Sequence, residues 1–140
     1  MSRRYVLDTN VLIHIADQAD GWEKIVLKVD AVGKANLLVS AVTVWEIYRL
    51  VERAKLKKKV LQASLELLSV FKIEALTGQM AALGGNLHGW LMNRGIVFGE
   101  QDSMIAATAI SLDCTVVTDD RQFSEILGIT LENWRAPIPI

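Results

Sequence analysis

For chemistry, this 140-residue sequence offers sixteen carboxylates, two histidines and one cysteine. Most of the carboxylates fall into two kinds by their neighbours. Asp17, Asp20, Glu23, Asp30, Glu52, Glu66, Glu125 and Glu132 stand beside polar or basic residues and read as solvated faces. Asp8, Glu46, Asp102 and the adjacent Asp119 and Asp120 stand out. Asp8 follows the strand-forming run Tyr5-Val6-Leu7 and precedes another apolar run. Burying its charge there costs several kcal/mol unless something compensates it. Glu46 is embedded in Val42-Thr43-Val44-Trp45-Glu46-Ile47-Tyr48, Asp102 opens Asp102-Ser103-Met104-Ile105-Ala106-Ala107-Thr108-Ala109, and Asp119-Asp120 follow Val117-Thr118.

Each of these acids has an ordinary explanation when taken singly. Glu46 pairs with Arg49 and Arg53 at i+3 and i+7 on an exposed stripe. Asp102 sits in a first helical turn, where a carboxylate satisfies orphan N–H groups and the dipole. Asp119 and Asp120 make a strand-to-helix turn with an Asp cap. Taken jointly they point elsewhere. Four acidic sites converging on one pocket raise each other's pKa steeply unless a cation neutralises them. Mg²⁺, with Mn²⁺ as the alternative, suits carboxylate and water ligands. Zinc is disfavoured by two isolated histidines, His14 and His88, and a single apolar-flanked cysteine. Such a site serves phosphodiester chemistry by activating water and stabilising the leaving oxygen.

The elements that must position these acids follow from the apolar periodicity. Strands are expected at Tyr5–Leu7, Leu37–Ser40, Lys72–Ala75, Thr115–Val117 and Ile129–Leu131. Helices are expected over Asn10–Asp17, 22–33, Thr43 to about Lys55, Lys57–Phe71, Gln79–Asn93 and Glu100–Leu112. Strands alternating with helices mean βαβ units and a parallel sheet covered on both faces. Open α/β sheets bind ligands outside the carboxyl ends of their strands. Asp8 and Asp119-Asp120 fall at that edge, and Glu46 follows a strand that ends there.

Four motifs resemble a known family. Leu7-Asp8-Thr9-Asn10-Val11-Leu12-Ile13 resembles the opening of PIN domains, Thr43-Val44-Trp45-Glu46-Ile47 their glutamate helix, Asp102–Ala109 their third acidic motif and Val117-Thr118-Asp119-Asp120-Arg121-Gln122-Phe123 their fourth. Order, spacing and length are similar to small single-domain PIN proteins of the VapC toxin type. The resemblance implies one PIN domain over residues 1–140, folded as a three-layer α/β/α sandwich on a mainly parallel sheet. It implies a metal-dependent endoribonuclease acting on an RNA substrate, with Asp8, Glu46, Asp102 and Asp120 as catalytic and metal-site acids. Thr9 and Asn10 match the first motif and Thr118 the fourth, with Asn10 and Thr118 orienting ligands or waters. Asp120 aligns with the family's fourth acid better than Asp119, which becomes a supporting residue. It further implies a homodimer neutralised by a cognate antitoxin protein, with Arg49 a contact for substrate phosphate or an antitoxin carboxylate.

Other features bound the answer. Net charge is −1 and 51% of residues are hydrophobic, which argues against a generic nucleic-acid coat protein while leaving room for one basic patch. Arg53–Lys59 carries five positive charges in seven residues, and reads better as a solvated helix corner than as a phosphate track. Gly84-Gly85-Asn86-Leu87-His88-Gly89 follows no strand and lacks Lys-Ser/Thr, so close helix packing explains it better than a phosphate loop. Cys114 reads as a buried structural thiol. No apolar run approaches a membrane span and no leader pattern shows, so a cytoplasmic location is expected. Of the four tryptophans, Trp90 and Trp134 are the expected semi-exposed pair. Trp45 and Tyr48 enlarge the glutamate helix, for local packing or an antitoxin groove. Two rival functions remain. A haloacid-dehalogenase-like phosphatase using Asp8 as nucleophile wants a second Asp where Asn10 stands. A noncatalytic PIN-like binding module wants a broken acidic set.

Overall fold

A computed structural model describes residues 3–135. Its strands are β1 (Tyr5–Leu7), β2 (Leu37–Ser40), β3 (Lys72–Glu74), β4 (Thr115–Val117) and β5 (Leu131–Glu132). Its helices are α1 (Thr9–Asp17), α2 (Trp22–Val32), α3 (Ala41–Arg53), α4 (Lys58–Leu68), α5 (Gly78–Asn93) and α6 (Glu100–Ser111), with short 3₁₀ turns at Lys34–Asn36 and Arg121–Glu125. The strands form one parallel sheet in the order β3-β2-β1-β4-β5, with Val6 opposite Leu38 and Val116.

The alternation of side chains along each strand splits the core in two. Val6, Leu38 and Val116 face a cluster containing Leu91, Phe98, Ile105, Ala109 and Phe123. Leu7, Leu37, Val39 and Val117 face the opposite cluster, with Leu12, Ile25, Ile47, Leu68 and Phe71. Helices α5 and α6 supply the first layer; α1, α2 and α4 supply the second. This is the expected three-layer α/β/α sandwich. Among the described residues no helix is long and apolar enough to cross a membrane.

Several boundaries differ from expectation, most by a single residue, and three of the shifts have a local reason. Helix α3 begins at Ala41 rather than Thr43, because the Ser40 hydroxyl accepts from Val42 N at 3.1 Å and caps it. Helix α4 stops at Leu68 rather than Phe71, because Ser69 N and Oγ both turn back to the Glu66 carbonyl, releasing Phe71 into the core. Strand β5 is Leu131–Glu132 rather than Ile129–Leu131, since Leu131 and Glu132 are the residues in register with Val116 and Val117.

Of the expected semi-exposed tryptophans, Trp90 stands and Trp134 is reassigned. Trp134 is buried, edge-on to the Tyr5 ring at 5.0 Å, with its indole N–H donating to Glu132. Trp90 is half-buried beneath the Arg94 guanidinium. The exposed one is Trp45. Cys114 is buried as expected, and its thiol pKa is raised by that burial.

Candidate acidic active site

Strand β1 ends against β4, and the last ladder bond is Asp8 N to Val117 O at 3.0 Å. Asp8 is then the N-cap residue of α1, yet its side chain makes no capping bond. The carboxylate is almost completely buried. Its Oδ2 accepts from Thr118 Oγ1 at 2.9 Å, while its Oδ1 is buried with no partner. Burial, then the negative charge of Asp102, push its pKa from 3.8 up to about 7; Glu46 adds to the rise, and the Thr118 bond and the Thr9 backbone N–H oppose it.

Glu46 approaches from α3. Thr9 Oγ1 donates to Glu46 Oε1 at 2.8 Å and lies 2.9 Å from Thr43 Oγ1. A hydroxyl has one proton, so Thr43 is the donor to Thr9. Burial raises the Glu46 pKa against the Thr9 bond and the nearby Arg49 charge. Asp102 stands in the first turn of α6, whose N-cap is Gly99 with no side-chain cap bond. Burial, and then the charges of Glu46 and Asp120, lift its pKa to about 6. Asp120 follows β4; its N–H donates to Thr118 Oγ1 at 3.0 Å and its Oδ1 caps Gln122 N. The Thr118 hydroxyl therefore ties Asp120's backbone to Asp8's carboxylate.

The structure thus brings Asp8, Glu46, Asp102 and Asp120 within electrostatic reach of one another at the carboxyl edge of the sheet. Asp119 turns away and pairs with Arg135 at 2.6 Å. Asn10 is exposed at the rim, one turn before His14 on α1. Arg49 is exposed beside Glu46, with its guanidinium 5.1 Å from the centroid of the Trp45 ring.

Two contributors escaped the sequence reading. Thr43, fully buried, orients Thr9, and its position three residues before Glu46 on the core side of α3 was the available signal. Gly99 leaves room for Asp102: a Cβ there would stand 2.8 Å from Asp102 Oδ2. No sequence pattern announces that contact.

Three carboxylates with raised pKa values, one holding a buried unpaired oxygen, form a cluster short of positive charge. Among the described residues no three acids, histidines or cysteines are gathered tightly enough to cage a metal outright. The donor set nonetheless fits a hard divalent cation: the groups are carboxylate oxygens, and the buried Asp8 Oδ1 has no protein donor.

Comparison with known proteins agrees with this geometry. The chain is 29% identical over 134 residues to "Ribonuclease VapC2" of Rickettsia felis, covering 93% of this chain and 97% of that protein. It superposes on VapBC2 from Rickettsia felis bound to a DNA fragment from its promoter with TM-score 0.72 and 28% identity, covering 93% and 98% of the two chains. For DNA-bound VapBC from Salmonella typhimurium the TM-score is 0.74 at 26% identity, covering 94% and 98%. The family model of the PIN domain matches residues 5–128, which include all four site acids, and the chain belongs to the PIN-domain family.

Proposed function

We propose that this chain is a metal-dependent endoribonuclease, the toxin of a toxin–antitoxin pair, cleaving RNA phosphodiester bonds. The observation that carries the reading is the buried, unpaired Oδ1 of Asp8 amid Glu46, Asp102 and Asp120. The ribonuclease similarity supports the substrate class, and the VapBC neighbours support an antitoxin partner.

Asp8 and Asp102 would hold Mg²⁺ or Mn²⁺, with Glu46 and Asp120 completing the pocket directly or through water. A divalent cation bound there supplies charge neutralisation, polarises the phosphate and lowers the pKa of water. The chain's own residues do the rest. Thr118 holds Asp8 through Oδ2, leaving Oδ1 free of protein donors and available to a cation. Thr43 and Thr9 fix Glu46 in the same way. Asn10, exposed at the rim, is placed to hydrogen-bond substrate or water. Arg49 lies beside Glu46, whose charge it offsets, and can meet a phosphate oxygen.

The groove between α1, α2 and α4 suits the antitoxin. It encloses about 610 Å³, is lined by Ile15, Trp22, Val60 and Leu67 and carries Lys57 and Lys59 together with Asp17 and Glu66. We further propose that the active form is a homodimer, checked by sedimentation. The deciding experiment incubates purified protein with RNA in Mg²⁺, in Mn²⁺ and in chelator. Cleavage is expected only with metal, and Asp8→Asn should abolish it while the circular dichroism stays native. Cleavage by Asp8→Asn at the wild-type rate would overturn the reading.

A further inference from the structure

Helix α3 carries more than Glu46. Trp45 and Tyr48 are 53% and 58% exposed, which is unusual for large aromatic rings. Residues 45, 48 and 49 stand at i, i+3 and i+4, so they share one face of the helix, one position away from Glu46. Arg49 links the two faces. Its guanidinium lies 5.1 Å from the Trp45 ring and its charge acts on the Glu46 carboxylate. Among the described residues it enters no salt bridge.

We propose that Trp45, Tyr48 and Arg49 form a platform on which unpaired RNA bases stack as the strand enters the acid pocket. This rests on the ribonuclease reading above. Aromatic rings beside a guanidinium make a sequence-tolerant surface for single-stranded nucleic acid, because every base has a π-face and every linkage a negative charge. The platform adjoins Glu46, whose charge acts on Asp102 in the acid cluster, so a base stacked there would lie beside that cluster. Its charged border favours bases over a second copy of the chain. The exposed Glu52 and Arg53 bound it one turn further on, whereas a stable protein interface needs roughly 800 Å² per partner with a charge-depleted centre.

The test measures binding of two fluorescein-labelled 12-mers in chelator, where cleavage is blocked: an oligouridylate, and an abasic ribose-phosphate chain of equal length. Wild type should bind the oligouridylate more tightly than the abasic chain. Trp45→Ala/Tyr48→Ala should lose about tenfold in affinity for the oligouridylate and nothing for the abasic chain. Trp45→Phe/Tyr48→Phe should keep most of the wild-type affinity. Equal binding of the two chains by wild type, or an unchanged or uniform response in the double alanine variant, overturns the platform. So does a change in sedimentation with oligouridylate affinity intact, which assigns the face to a second copy of the chain. Wild-type cleavage of a longer RNA with metal present is scored separately. If wild type cleaves but fails the stacking comparison, only the platform falls. If stacking holds without cleavage, the hydrolase reading falls and the platform stands.

Discussion

At the scale of single residues, Asp8 concentrates the cost and the use of this site. Its folded-state pKa of about 7 exceeds the ordinary 3.8, so the folded chain holds this proton more tightly than the unfolded one. The contribution to stability is therefore greatest at low pH and declines as pH rises from about 4 to about 7. Asp102, lifted to about 6, adds a parallel decline. Metal-free Asp8→Asn should accordingly melt within error of wild type near pH 4 and several degrees above it at pH 7.5; identical curves at both pH values would contradict the burial argument. Adding Mn²⁺ at pH 7.5 should raise the melting temperature of wild type and leave Asp8→Asn nearly unmoved. Thr118→Val keeps the shape but removes the donor to Asp8 and the acceptor for Asp120 N. Cleavage should drop roughly 10- to 100-fold with the fold retained. Asp113→Asn serves as the neutral control: this residue has φ +52°, a region Asn tolerates as well as Asp.

At the scale of elements, the placement of the acids depends on how α6 meets its surroundings. Gly84 on α5 packs against α6, where a Cβ would lie 3.3 Å from Met104 Cα; Gly85 and Gly89 face open space. The expectation of close helix packing at this glycine cluster therefore holds at Gly84 alone. Gly84→Leu should destabilise by about 1–3 kcal/mol and shift Asp102 with its helix. Gly85→Ala, in open helix, should be neutral or stabilise by up to about 1 kcal/mol. Both are read in urea melts. At the start of α6, Gly99→Ala is permitted by its φ of −66°, so its effect isolates the contact with Asp102 Oδ2. Cleavage should fall several-fold while stability changes little.

At the scale of the molecule, the sequence was informative where burial is simple. Strands β1, β2 and β4 are short aliphatic runs between polar ends, and their bounds were read to the residue. The order of strands and helices implied a parallel sheet covered on both faces and put three acidic sites at one sheet edge. What escaped depended on partners distant in sequence. Trp134 looked like a terminal, half-exposed ring, but the Tyr5 ring, more than a hundred residues earlier, buries it. Adjacent Asp119 and Asp120 are chemically identical, and only Arg135 and Thr118 separate their roles. Glu46 and Arg49 did look like an i, i+3 pair; the structure makes Arg49 a neighbour of both Glu46 and Trp45.

The final ladder bond of β1 has a kinetic consequence. Asp8 N–H is sealed against Val117 O at the end of β1, the central strand of the five, between its two cores. An amide so placed exchanges with solvent only when the whole sheet opens. Asp8 N–H should rank among the slowest-exchanging amides, with protection approaching the global unfolding free energy, whereas Gln122 N–H, held only in a surface turn, should exchange early. The pocket's deepest acid is thus anchored to the part of the protein that comes apart last. In a denaturant series, activity should persist until the sheet itself melts.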